Sequence, residues 1–250
     1  MRRDERGVSE VIGYVLVFSL ILGAITFVSV AGFSSLEETR DREHVRNAER
    51  AFDVLRNNVA DIYQQGAPSR ATELSLSEAQ LQTGEEVEMT VIVEDGSGVR
   101  TEVTRVITPL EFVGPDDTTF AYEGGAVFRE RRDTGSVVYD PPFRIGQDRA
   151  IVPVIRTHSN TTRSLGGGTI LIRTRSTDRT VPVVASQVST LRIEITDSER
   201  QKLWKRYLSE DEGLDCTESG STLTCEVPAS KTPIDRVVVV VQEIKWELEQ

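Results

Sequence analysis

The chain has 250 residues, enough for one large domain or two small ones around a proper core. Its 40 acidic against 29 basic residues give a formal charge of −11, which argues against the basic face that nucleic-acid binding requires. Lysine is confined to Lys202, Lys205, Lys231 and Lys245, and this acid surplus with little lysine is also the pattern of a salt-adapted protein.

The first feature in chain order is an uncharged run from Val11 to Phe33, VIGYVLVFSLILGAITFVSVAGF. As a helix it would reach roughly 34 Å at ~1.5 Å per residue, enough to cross a hydrocarbon core. Small residues within it (Gly13, Gly23, Ala24, Gly32) allow close approach of neighbouring helices. Three fates are open to such a segment. Ser29-Val30-Ala31 offers small residues for a conventional cleavage, but the run exceeds the usual signal core of about 7–15 residues. An uncleaved anchor is the second fate, and a prepilin-type signal, cut on the cytoplasmic side so that the helix is retained, is the third. Arg2-Arg3 lacks the apolar residues that a twin-arginine signal needs after it.

The residues before the run, Arg6-Gly7-Val8-Ser9-Glu10-Val11-Ile12-Gly13, resemble the start of haloarchaeal type IV pilins. The resemblance covers about the first 35 residues and implies cleavage between Gly7 and Val8 by a prepilin peptidase. Ser9 to Gly13 would then open the retained helix. Glu10 stands where this family commonly has Pro, and as third mature residue it is two short of the glutamate of bacterial pilins. Removing residues 1–7 would leave a formal charge of −12. The leader's three arginines favour a cytoplasmic leader, although Arg40, Arg42 and Arg46 weaken that count. The implied order is a leader over 1–7, a membrane helix over 8–33, an amphipathic helix over 34–66 and a head over 67–250.

Between Ser34 and Gln65 there is neither Gly nor Pro, and Gly66-Ala67-Pro68 ends the helix. Val45, Ala48, Phe52, Leu55, Val59 and Ile62 recur every three or four residues, a narrow stripe expected to pack on the chain's own domain. The charged stretch 37–43 reads as a solvated neck.

Beyond Pro68 the apolar period becomes two. Residues 85–94 and 99–108 flank Asp95-Gly96-Ser97-Gly98 as a hairpin, and 120–129 and 136–139 flank Arg132-Asp133-Thr134-Gly135 as another. Strands follow at 150–157 and 169–177, separated by a loop ending in Gly166-Gly167-Gly168. Then come a strand at 191–196, a short helix at 198–208 with Asp197 as its cap, and a closing strand at 237–244. The reading is α+β, with an antiparallel, sandwich-like head. Tyr122 to Val127 and Trp204-x-x-Tyr207 resemble elements of haloarchaeal pilin-like secreted proteins.

Cys216 and Cys225 are the only cysteines, and an even pair around a turn suggests a disulfide. Two cysteines without companion histidines cannot close a zinc site. Asn160-Thr161-Thr162 is a glycosylation sequon. Asp116-Asp117 after Pro115 reads as a turn. His44 and His158 are the only histidines, and no catalytic or phosphate-binding motif is present. The sequence therefore predicts a non-enzymatic chain without cofactor or metal, with the membrane, a prepilin peptidase and other pilin subunits as partners. The leading expectation is a subunit of an archaeal surface filament. An anchored binding protein that never polymerises is the alternative, and an anchored enzyme is least favoured.

Overall fold

The computed structural model describes residues 4–114, 117–132, 134–159 and 164–250; Asp116 and the sequon at Asn160 lie outside them. The chain forms two compact units, residues 1–43 and 44–250. A single helix, α1 (Asp4–Gln65), contributes to both. It closes at Gly66, where a φ of +72° suits glycine and the Gly66 N–H donates to the Ile62 carbonyl at 3.1 Å.

The expected stripe is the buried face of α1. Val45, Ala48, Phe52, Leu55, Val59 and Ile62 form one core with strand residues including Phe112, Phe120, Tyr122, Ile172, Ile244 and Trp246. Phe52 meets Phe120 at 5.9 Å between ring centroids, and Tyr122 meets Trp246 edge-on at 5.6 Å. Such tilted aromatic pairs add about 0.5–1.5 kcal/mol beyond the area they bury.

Fifteen strands follow α1 among the described residues. They are β1 (Ser69–Ser75), β2 (Gln80–Thr83), β3 (Val87–Asp95), β4 (Arg100–Ile107), β5 (Leu110–Val113), β6 (Thr118–Glu123), β7 (Ala126–Arg131) and β8 (Thr134–Tyr139). After these come β9 (Arg144–Ile145), β10 (Ala150–His158), β11 (Ser164–Gly166), β12 (Thr169–Thr196), β13 (Asp215–Ser219), β14 (Thr222–Glu226) and β15 (Ile234–Glu249). One sheet runs β13-β14-β12-β15-β10-β9, with β1 and the β3–β4 hairpin joined to β12; the other runs β11-β2-β5-β6-β7-β8. The α+β class holds.

Several expectations need correction. The strand expected over 120–129 is two strands, because Gly124 (φ +60°) and Gly125 (φ +98°) make a tight turn of the primed hairpin kind. The strands expected at 169–177 and 191–196 are the two ends of β12, whose register shifts around Ser176–Asp178 and Thr180–Val183 carry it past Pro182. The sheet is not wholly antiparallel, since β10 runs parallel to β15. Asp197 does not cap a helix. It takes φ +61°, while Ser198 Oγ accepts from the Arg200 N–H at 3.1 Å. The helix itself, α2, spans Gln201–Arg206 and widens into a π-turn over Tyr207–Asp211.

A second core lies among β3, β10, β12, β14 and β15, with Trp204 of α2 set against Phe128 at 5.2 Å. Cys216 and Cys225 face each other across β13 and β14 and are disulfide-bonded.

Candidate functional site

The first candidate is the N-terminal segment. Val11–Ser29 has a mean hydropathy of 2.5 with none of it buried, so it is long and apolar enough to cross a membrane as an anchor or to serve as a signal sequence. Leu20 and Phe27 are each more than 70% exposed, which no aqueous surface helix would sustain at this density. Arg6, Gly7, Val8, Ser9 and Glu10 lie within the α1 backbone, and Val11 and Ile12 follow as exposed residues. A Cβ at Gly13 or Gly23 would meet nothing within 4 Å, so both leave open space along the helix.

The second candidate is a buried charge cluster that sequence reading missed. Arg200, just ahead of α2, is 3% exposed and faces three carboxylates of the sheet, with its exposed neighbour Glu199 a fourth at 3.9 Å. Its Nη2 donates to Glu111 of β5 at 2.7 Å, its Nη1 to Glu123 of β6 at 3.3 Å, and its Nε lies 2.9 Å from Glu130 of β7. Glu123 Oε1 also accepts from Ser198 Oγ at 2.6 Å and from the Trp204 indole at 2.7 Å. Gln82 donates to the far oxygen of Glu111 at 3.2 Å. The stretches 122–127 and 204–207, each singled out in the sequence for its resemblance and not for any contact between them, meet at Glu123 and Trp204. Gly124 is required there, because a Cβ would sit 3.3 Å from the Trp204 ring and 3.2 Å from Met89. Gly84 is needed at Glu111, whose carboxylate would lie 2.5 Å from an added Cβ.

Three carboxylates against one guanidinium leave the cluster formally at −2. Burial pushes the Glu130 carboxyl up from its ordinary range; the Arg200 charge opposes this, while Glu199, Glu111 and Glu123 reinforce it. The Arg200 guanidinium, which burial alone would lower, is held high by Glu123, Glu111 and Glu130. The arrangement clamps α2 to the β6–β7 turn. The carboxylate oxygens of Glu111 and Glu123 are taken by internal donors, so the cluster has the chemistry of a structural lock.

Ser198 also borders an open cleft of about 910 Å³. Glu85, Glu86, Asp197 and Glu199 line it together with the hydroxyls of Thr108 and Ser221. His44 and His158 belong to α1 and β10, and no metal-binding group of three or more His, Cys, Asp or Glu occurs among the described residues.

A family of unknown function, DUF7289, matches residues 6–247, and the chain belongs to it. No curated protein and no solved structure matches the chain.

Proposed function

We propose that this member of the DUF7289 family is a pilin-like subunit of an archaeal surface filament, minor or non-major in role. Its α1 begins in the membrane, and its β-rich head lies outside the cell. The observation that carries the reading is that one unbroken helix holds both an uncovered apolar stretch, Val11–Ser29, and the stripe Val45–Ile62 that seals the head's core. A helix of this kind suits a subunit whose apolar segment exchanges lipid for neighbouring helices. The sequence Arg6-Gly7-Val8 supplies the processing site for a prepilin peptidase, and Ser9 to Gly13 opens the mature helix. Asn160 is a glycan acceptor on the outer face in this reading, and the head acts in adhesion or assembly rather than catalysis.

The acidic cleft beside Ser198 favours a second reading, an anchored surface protein that binds a cationic partner and never polymerises. Ala24→Phe separates the two. Phe is as compatible with lipid as Ala, but it fills the space that neighbouring helices would use. The variant is expected to insert normally and to fall out of sheared surface filaments. Wild-type protein that is never found in the sheared fraction would overturn the subunit reading.

A further inference from the structure

The Arg200 cluster lies directly behind one wall of the open cleft. Ser198 and Glu199 line that cleft, and so does Gly84, whose added Cβ would meet the Glu111 carboxylate. This wall is a short strap, residues 197–200, that carries the chain from the end of β12 into α2. Ser198 ties it to Glu123, and Arg200 ties it to Glu111, Glu123 and Glu130. The Asp197 N–H adds a bond to the Ser221 carbonyl at 3.0 Å. Closure of the wall therefore depends on the ionic state of three carboxylates.

The three are not equivalent. Glu111 and Glu123 are buried, take the two Nη groups of Arg200, and accept from neutral donors as well: Gln82 for Glu111, Ser198 and Trp204 for Glu123. Glu130 is 29% exposed, and it sits 2.9 Å from Arg200 Nε in an alignment too poor for a hydrogen bond.

One guanidinium cannot neutralise three carboxylates drawn together, and like charges that share a site favour a proton on one of them. The partly exposed and least bonded member, Glu130, is the one to carry it. Among the described residues, the charges that face it are Arg200 and Glu199 of the strap, Glu111 of β5 and Glu123 of β6. Uncharged Thr119 and Gly135 stand directly opposite it on β6 and β8, and Arg206 of α2 is turned onto the Gly135 carbonyl. Its strand neighbours Arg129 and Arg131 project from the other side of the sheet. Burial acts in the same direction as the three acids, and the Glu130 carboxyl is pushed up from its ordinary range.

We propose that the strap is a proton-gated wall: a proton on Glu130 keeps residues 197–200 clamped over the cluster, and its loss to water loosens them and opens the cleft onto Glu111 and Glu123. Trp204, fully buried against Phe128 and Phe143, holds α2 in place, so the motion is confined to the strap. The device belongs to the head and is independent of whether the chain polymerises. Its sign follows from linkage. The closed wall binds the proton more tightly than the open one, so it is firm below the ordinary glutamate range and weakens as pH rises through the raised value. Opening across that window releases one proton, so the opening constant climbs by about tenfold per pH unit and then levels off.

Hydrogen exchange of the full chain in detergent, corrected for the intrinsic effect of pH, tests this at the Asp197, Arg200 and Gln201 amides. Each of these is hydrogen-bonded in the closed wall. Their protection should fall by about tenfold per pH unit above the ordinary glutamate range and then reach a plateau. Glu130→Gln should make it independent of pH. Glu199→Gln, a change at an exposed side chain, should move the window to lower pH by removing one of the opposing charges, and it decides the matter if Glu130→Gln does not fold. Protection that ignores pH in the wild type, a slope that survives Glu130→Gln, or a window unmoved by Glu199→Gln would each overturn the proposal. An equal slope at the amides of β15 would do so too, because the whole head and not the strap would then be opening.

Discussion

Replacing Arg200 with Met keeps a long apolar stem and removes the only cation in the buried cluster. Glu111 and Glu123, 5% and 1% exposed, would then lie buried without a counter-charge. Breaking a buried ion pair from one side costs about 3–5 kcal/mol, because the remaining charges keep their desolvation penalty. A domain of this size loses roughly 2–4 °C of melting temperature per kcal/mol, so Arg200→Met should lower the transition of the full chain by about 6–20 °C. The assay is thermal unfolding of the detergent-solubilised protein, followed by near-ultraviolet circular dichroism of the Trp204 environment. Adding Glu111→Gln and Glu123→Gln should recover much of the loss, since the amides need no counter-ion. A shift under 2 °C, or a triple variant no better than the single one, would refute the view of this cluster as a lock held by the Arg200 charge.

Three further outcomes follow from the geometry. The folded state holds the Glu130 proton more tightly than the unfolded chain does, so its contribution falls as pH rises above the ordinary glutamate range. Glu130→Gln should therefore flatten the stability loss in that window, and unchanged pH dependence in denaturant titrations would count against it. Cys216→Ser with Cys225→Ser opens a short loop and should cost about 2–3 kcal/mol by loop entropy, read from urea midpoints; full alkylation of the unreduced, denatured native protein would contradict the bond. Phe52→Ala empties the centre of the helix-covered core and should cost about 3–5 kcal/mol, and a loss below about 1 kcal/mol would mean that α1 does not seal that core.

The parts legible in the sequence were those written in local periodicity. The spacing of Val45 to Ile62 marked the buried face of α1, and Asp95-Gly96-Ser97-Gly98 marked the β3–β4 hairpin. In that turn Asp95 accepts the Ser97 and Val99 N–H groups at 2.9 and 3.0 Å. The cysteine pair was legible because a two-residue turn, Gly220-Ser221, sets the partners opposite one another. The Arg200 cluster was not, because its members lie 77 and 89 residues apart along the chain from Glu123 and Glu111. In a chain with 40 acids a single glutamate reads as surface. The hint available was an acid inside a short apolar strand, Leu110-Glu111-Phe112-Val113, and another beside Gly124-Gly125. The continuity of β12 was hidden by polar residues and Pro182, which its register shifts absorb. The parallel β10–β15 pair had a hint in the near-continuous apolar runs 150–155 and 237–241, a pattern of parallel strands that the alternation-based reading passed over.

The central claim is tested most directly by intact mass and N-terminal sequencing of the protein recovered from sheared cell-surface material. The account predicts a chain beginning at Val8 that keeps Val11–Ser29 and sediments with filaments. A chain beginning at Gly32, found free in the medium, would show that the apolar segment is a discarded signal and that no filament subunit exists.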